Sequence, residues 1–414
     1  MASKFQAPRG TFDILPEAAR ERARLESAAS AIFARAGYEP IATPAFEDTA
    51  LFERGVGKST DIVRKEMFTF EDKGERSLTL RPEGTASICR AYLEHGMHKL
   101  AQPVKLSYLG PFFRHERPQA GRYRQFHQLG IECIGTDSPL ADAEVIMLLS
   151  DLLGELGVPG VELRLGSLGS VEARRAYLED LKAHLHAHAD DLSGDVRERI
   201  DINPLRAFDA DDEGTRGVMA TAPTIVERLE GEDAEHFAEV RALLDAAGVA
   251  YAVDPTLVRG LDYYTRTIFS FVCDRLGAQS EIGGGGRYDG LIEQLGGPST
   301  PAIGFAAGIE RILLALDEEV PAAGRDAFVA VADPSQRRRA MALVVELRHA
   351  GLAAELDLAG RALKGQLKHA DRIGARRVLI LEDDGSAKLR DMETGEQREA
   401  DPGNLVEEMT GGES

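Results

Sequence analysis

The chain has 414 residues, of which 43% are hydrophobic and 29% charged, with a formal net charge of −20. An average composition at this length excludes a disordered, fibrous or disulfide-rich chain and predicts two or three domains of about 150 residues each. No apolar run reaches the ~18 residues that a membrane span needs, and the acidic balance as a whole argues against a nucleic-acid partner.

The N-terminal MASKFQAPRGTFD has no apolar stretch and does not read as a secretory signal. Residues 13–37 predict a helix: Asp13 can cap it, Pro16 suits its first turn, and Gly37 can end it. Tyr38 to Phe46 is extended, and Pro40 and Pro44 place it at a sheet edge or an interface. Residues 77–81 alternate like a strand, and Pro82-Glu83-Gly84-Thr85 opens a helix that runs through Leu93. Residues 104–113 and 126–134 form a long antiparallel hairpin around a charged loop, Arg114 to Gln125. A helix over 141–157 and a strand over 161–166 follow, then a polar, helical insertion over 171–228. Residues 266–273 and 279–282 predict paired strands, with the glycine run Gly283–Gly286 after them. Residues 301–316 read as a strand entering an amphipathic helix. A boundary at 320–325 leads to alternating strands and helices, a compact α/β unit. Cys89, Cys133 and Cys273, odd in number and far apart, read as buried cytosolic thiols.

Some local signals carry little. Gly57-Lys58-Ser59 resembles the end of a phosphate-binding P-loop, but Phe52 stands where the pattern needs glycine. His184, His186 and His188 have no cysteine or acid nearby to complete a metal set, so a solvated helix face is the expectation. The run Gly283–Gly286 lacks dinucleotide-binding spacing; it suits close approach of a ligand to the backbone, or a plain turn.

Stronger signals lie in three segments. Between Lys105 and Gln128 there are five Lys/Arg against one acid, a local charge of +4. The arginines at the two shoulders of the hairpin loop are placed to share a groove, and a planar guanidinium suits phosphate. Arg259-Gly260-Leu261-Asp262-Tyr263-Tyr264 packs an arginine, an acid and two tyrosines together. If extended, the adjacent tyrosines would face opposite sides, so only one need meet a ligand. Arg311, at an apolar helix start with Gly304, Gly308 and Glu310, is costly to bury without an anion.

These segments resemble the three signature motifs of class II aminoacyl-tRNA synthetases. Gly37 to Pro44 is similar to the dimer-forming motif 1, Phe113-Arg114-His115-Glu116 with the loop to Phe126 to motif 2, and Gly304 to Arg311 to motif 3. Leu80-Arg81-Pro82-Glu83-Gly84-Thr85, residues 259–267 and GGGGRYDGL at 283–291 narrow the resemblance to the histidyl-tRNA synthetase family, over nearly the whole chain. The resemblance implies an α+β fold: an antiparallel sheet with flanking helices over 1–320, interrupted by the 171–228 insertion, and an α/β anticodon-binding domain over 326–414. It implies histidine activation by ATP and transfer to tRNA(His), in a cytoplasmic homodimer. Mg²⁺ would arrive with ATP, and the resemblance assigns no residue to hold it.

Roles transfer residue by residue. Arg114 would hold the ATP α-phosphate and Arg311 the γ-phosphate, with Phe126 stacked on adenine and Glu116 at the adenine end. Glu83, Thr85 and Gln128 would surround the α-amino group of histidine. Glu132 and Tyr264 would contact the imidazole, with Tyr263 in the same pocket. Arg259 would lie near the substrate carboxylate and α-phosphate, making Arg259 and Arg114 the catalytic pair. Arg117, Gln119 and Arg122 would meet the tRNA acceptor end. Arg266 departs from the smaller or neutral residue of many relatives.

Charge distribution tempers the overall acidity. Residues 326–381 carry ten Lys/Arg and six Asp/Glu, a net of +4, while 382–414 carry three against eleven, a net of −8. A basic unit presenting Arg337, Arg338, Arg339, Lys364, Lys368 and Arg372 on helices suits tRNA contact. The alternative is a synthetase-like regulatory subunit of an ATP phosphoribosyltransferase in histidine biosynthesis. Such subunits typically lack the C-terminal domain and have degraded forms of the motif 2 loop and the 259–264 segment, all of which are present here.

Overall fold

The computed structural model describes residues 5–57, 60–277, 280–316 and 324–410. Two compact units divide the chain, Met1–Glu318 and Glu319–Ser414. Lys58, Ser59, Gln279 and most of the 320–325 boundary lie outside the described residues.

The first unit is built on an eight-stranded sheet. Its strands in chain order are β1 (Glu39–Pro40), β2 (Val104–Phe113), β3 (Gln125–Ile134), β4 (Val161–Ser167), β5 (Ala252–Val253), β6 (Thr265–Cys273), β7 (Glu281–Arg287) and β8 (Ala302–Gly308). Their order across the sheet is β1-β2-β3-β8-β7-β6-β4-β5. All neighbours are antiparallel except β1–β2 and β4–β5 at the two edges. The proline-bearing β1 is an edge strand, where a missing N–H is tolerated. Helix α1 (Pro16–Arg35), with proline at its start, buries Leu25, Ala29, Ile32 and Phe33. Helix α2 (Thr85–Glu94) follows the Pro-Glu-Gly turn. Helix α3 (Pro139–Glu155), capped by Ser138, joins α1 on one core with Leu129, Ile131, Phe305 and Ile309. A small sheet of Phe46–Asp48, Phe68–Glu71 and Ser77–Leu80 flanks the large one; only its last strand is legible in the sequence.

The insertion begins at helix α4 (Val171–Ala187). It has an apolar core of its own, including Tyr177, Leu181, Leu185, Leu192 and Val196. The three histidines are engaged locally: His184 Nε2 meets Val218 O at 3.0 Å, His186 Nε2 meets Asp201 at 3.0 Å, and His188 Nδ1 meets His184 O at 2.9 Å. Helix α5 (Gly231–Ala246) then returns the chain to the main core through Phe237, Val240 and Leu244.

The glycine run corrects the sequence expectation. Gly283–Gly286 neither follows a strand nor makes a turn; it is most of β7, paired on both sides. The other expectation, backbone open to a ligand, is not overturned, since Gly283 and Gly284 line the cleft described below. A Cβ on Gly285 would stand 1.9 Å from Gly304 O, and one on Gly283 would stand 2.6 Å from Ala307 Cβ. The glycines are there because neighbouring chains leave no room for side chains. The strand ends at Arg287, fully buried and satisfied by Asp142, Asp289, Thr136 O and Ser138 O. Asp142 also meets His236 Nε2 at 2.8 Å, so α3, α5 and β7 share one buried polar node.

Arg266 sits at φ +46° beside a register shift in the β6–β7 pairing. This is a bulge, which explains a left-handed non-glycine residue. Its Nε donates to Asp233 Oδ1 at 3.2 Å. Cys89, Cys133 and Cys273 are buried and unpaired, as expected.

The second unit is a five-stranded sheet, with strands β9 (Arg325–Val331), β10 (Ala354–Leu356), β11 (Ala375–Leu381), β12 (Ala387–Asp391) and β13 (Gln397–Ala400) in the order β10-β9-β11-β12-β13. The first three strands are parallel, with helices α6 (Arg337–His349) and α7 (Leu363–Arg372) between them in the chain. The acidic segment after 382 supplies β12, β13 and a short helix, Leu405–Thr410.

Candidate active site

The sheet positions one deep cleft, floored by β7 and β8 and walled by β2, β3 and the 259–264 segment. Its lining separates into a carboxylate-and-tyrosine end and an arginine end.

At the first end Glu83 is buried ahead of α2. Its carboxylate accepts from Thr85 N at 2.7 Å and Ala86 N at 3.0 Å, capping the helix. Burial pushes its pKa up, against those two backbone bonds. The Tyr263 hydroxyl lies 3.5 Å from Glu83 Oε2. Glu132, on β3, accepts from the Thr85 hydroxyl at 2.8 Å and from the Tyr288 hydroxyl at 2.5 Å. Desolvation raises its pKa to about 8. Gly304 faces it without a side chain; a Cβ there would stand 1.8 Å from Glu132 Oε2. Gln128 Oε1 and the Tyr108 hydroxyl are buried with no hydrogen-bond partner among the described residues. Unmet polar groups at a cleft wall are what a polar ligand completes.

The adjacent tyrosines are not extended. Tyr263 and Tyr264 lie in a turn before β6, their ring centroids are 4.7 Å apart, and both line the cleft. The period-two expectation of one inward ring is therefore corrected.

At the other end Arg114 leaves β2 with Nε on Pro82 O at 2.9 Å and its guanidinium 5.3 Å from the Phe126 ring centre. Arg311 donates from Nε to Gly121 O at 3.1 Å and from Nη1 to Glu281 O at 2.5 Å. Arg259 is ion-paired to the Glu281 carboxylate and lies 5.6 Å from the Tyr264 ring. Burial would lower the Arg259 pKa, but Glu281 more than offsets it and the pKa rises. Arg122 pairs with Glu116 at 3.3 Å, and both line the cleft.

The hairpin shoulders are not equivalent. Arg114 and Arg122 face the cleft, whereas Arg124 Nε donates to Glu116 O and its backbone N–H donates to Gly10 O at 2.7 Å. Arg117 and Gln119 are exposed on the loop, outside the cleft lining. Glu310 is committed to β3, accepting from His127 N at 2.9 Å and meeting His127 Nδ1 at 2.8 Å.

Sequence reasoning gave no role to Glu281 or Tyr288. Glu281 is the acid just ahead of the glycine run, and Tyr288 lies inside GGGGRYDGL. Neither is told apart from a structural residue until the strands bring them against Arg259 and Glu132.

The family model of histidyl-tRNA synthetase matches residues 10–312, and an anticodon-binding domain model matches 326–411. The chain belongs to the histidyl-tRNA synthetase family. It is 48% identical over 412 residues to a histidine–tRNA ligase of Halothermothrix orenii, covering 98% of both chains. Apo histidyl-tRNA synthetase of S. aureus superposes with a TM-score of 0.83 at 37% identity, covering 98% of this chain and 100% of that one. A Bacillus halodurans protein described as an ATP phosphoribosyltransferase regulatory subunit/histidyl-tRNA synthetase is more distant. Its TM-score is 0.68 at 25% identity, covering 92% of this chain and 99% of that one. The class II synthetase fold is thus shared across the chain's length.

Proposed function

We propose that the cleft carries both steps of histidine–tRNA ligation, with the residue roles that follow. The observation that carries the assignment is the meeting of Arg114, Arg259 and Arg311, from three separate segments, with buried Glu83 in one cleft, and with Glu132 bonded behind it to the lining residues Thr85 and Tyr288. The ligase activity itself follows from family membership over the whole chain.

The first step is in-line attack by the histidine carboxylate on the α-phosphorus of ATP, which breaks the bond to the β-phosphate bridging oxygen and releases pyrophosphate with the bond electrons. The carboxylate is already ionised at neutral pH, so no general base is needed. The task is to bring two anions together and stabilise the charge on the α-phosphoryl oxygens. Arg114 and Arg259 hold that phosphate, Arg311 holds the γ-phosphate, and Phe126 carries adenine with Glu116 beside it. The imidazole lies at Glu132 and Tyr264, and Tyr263 closes the same pocket. The α-amino group lies among Glu83, Thr85 and Gln128, where the unpartnered Gln128 Oε1 is an acceptor for its N–H. In the second step a hydroxyl of the tRNA 3′-terminal ribose attacks the aminoacyl carbonyl, and AMP leaves with the bond electrons. Arg117, Gln119 and Arg122 meet the acceptor end.

No group of three or more metal-ligating side chains converges among the described residues. In this reading Mg²⁺ arrives with ATP. Glu116 and Glu281, the carboxylates at the arginine end, would be the oxygen donors within reach of it, and such donors suit this hard cation. When bound, it neutralises triphosphate charge.

Residues 1–320 form the catalytic domain with its 171–228 insertion, and 326–414 the anticodon-binding domain. The working form is a cytoplasmic homodimer, for which the edge position of β1 leaves a free strand side. Among the described residues no helix is long and apolar enough to cross a membrane. The test is ATP–pyrophosphate exchange with each of the twenty amino acids. Exchange with histidine alone is expected; exchange with none would favour the regulatory-subunit alternative.

A further inference from the structure

Arg174 lies in the first turn of α4 and reaches out of the insertion. Its Nη1 donates to Tyr264 O at 3.0 Å and to Asp262 O at 3.3 Å. These carbonyls belong to the turn that presents Tyr263 and Tyr264 to the cleft. Burial lowers the Arg174 pKa by more than the nearby Asp262 carboxylate restores, and its Nε is buried without a hydrogen-bond partner among the described residues. A charge is costly to bury unless it is well satisfied, so two carbonyl bonds from one nitrogen are a poor return for stability alone.

The start of the helix is held independently. Ser170 caps α4 by accepting from Ala173 N at 3.3 Å, and Ser170 N donates to Asp233 Oδ2 at 2.8 Å. Asp233 is the same carboxylate that holds Arg266, at the bulge two residues after Tyr264. Arg266 N also donates to Gly169 O at 2.7 Å. The root of the insertion is therefore already fastened to β6 without Arg174. What Arg174 adds is a fix on the two carbonyls within the turn.

We propose that Arg174 is a positioning residue for histidine binding, by which the insertion sets the backbone of the 262–264 turn and so the Tyr264 side chain. The inference rests on the reading that Tyr264 contacts histidine. It predicts a selective effect: the turn walls the amino-acid end, so histidine binding depends on it more than ATP binding does. It also predicts which substitution restores function. Both bonds leave a single nitrogen, and an ammonium with three rotatable donors can make two such bonds. Arg174→Lys should therefore substitute well, unlike a site that needs a planar fork.

The experiment is pyrophosphate exchange on the full-length protein with histidine and ATP varied separately, alongside thermal melts and active-site titration. Arg174→Met should raise the histidine KM by roughly tenfold or more, the value of lost charge-assisted hydrogen bonds. The ATP KM should change little, and Arg174→Lys should return most of the loss. If Arg174→Met does not fold, Arg174→Gln, which keeps an amide donor without its reach, takes its place. A folded Met or Gln variant with unchanged histidine KM overturns the proposal. So does a loss of rate that merely tracks the fraction of active sites, or a folded lysine variant as impaired as the methionine one. Tyr264→Phe separates the two readings. If it also leaves the histidine KM unchanged, the tyrosine assignment has failed; if it raises the KM while Arg174→Met does not, only the arginine assignment has.

Discussion

Glu132 shows how burial sets a side chain's working range. With its pKa raised to about 8, it stays neutral in the folded protein through the interval above 4.5 and below about 8, where an exposed glutamate is charged. A raised folded pKa means the stabilising difference is complete below the unfolded pKa, near 4.5, and is lost as pH rises through about 8. Denaturation of the wild type between those limits should show stability falling with pH by a few kcal/mol more than in Glu132→Gln, which cannot ionise. Equal slopes would place the carboxyl in a more hydrated setting. Histidine KM should rise in Glu132→Ala with little change for ATP, as steady-state exchange would show. Arg259 is the opposite case, a cation held ready by Glu281. Arg259→Ala should lower the adenylation rate by roughly 10²–10³, the cost of one preorganised contact to developing charge. Transfer from preformed adenylate should suffer less, because phosphoryl attack is then over. Single-turnover measurement of each step separates the two, and a melt checks that the fold survives.

At the scale of elements, the middle of β7, Gly283–Gly286, is a stretch that cannot carry side chains. Gly285→Ala would drive a Cβ against Gly304 O across the β7–β8 pair. Overpacking into backbone should cost about 3 kcal/mol or more, read as a lowered Tm. Gly290→Ala is the control, since the nearest atom to its Cβ is the Gln294 amide nitrogen at 3.8 Å. The strand character of the glycine run is hidden in the sequence for a physical reason. Strand signals come from side-chain alternation, and a strand without side chains has none. The long β2–β3 hairpin and α1 were legible because each alternates or repeats on one face. Site residues on recognisable motifs, such as Arg114 and Glu83, were legible too. Glu281 and Arg174 were not, because their partners lie 22 and 90 positions away in the sequence.

Across the whole molecule, the +4 charge of residues 326–381 stands against a total of −20. A chain ending near Gly324 should keep part of its histidine-dependent exchange and lose most tRNA charging. What charging remains should be more sensitive to salt than exchange is, since tRNA binding releases counterions. Charging at the full-length rate would remove the second unit from tRNA recognition. The cysteines add something of a different kind. All three lie in the first unit, and the chain has no tryptophan. Burial pushes the Cys133 thiol up to about 11 and Cys89 well above its ordinary value, so neither offers thiolate to a reagent in the native state. Alkylation thus becomes a clock for opening of the first unit alone, silent to the second. Since Cys89 sits on α2 behind Glu83 and Thr85, bound histidine should slow that clock by the free energy it adds to the closed state.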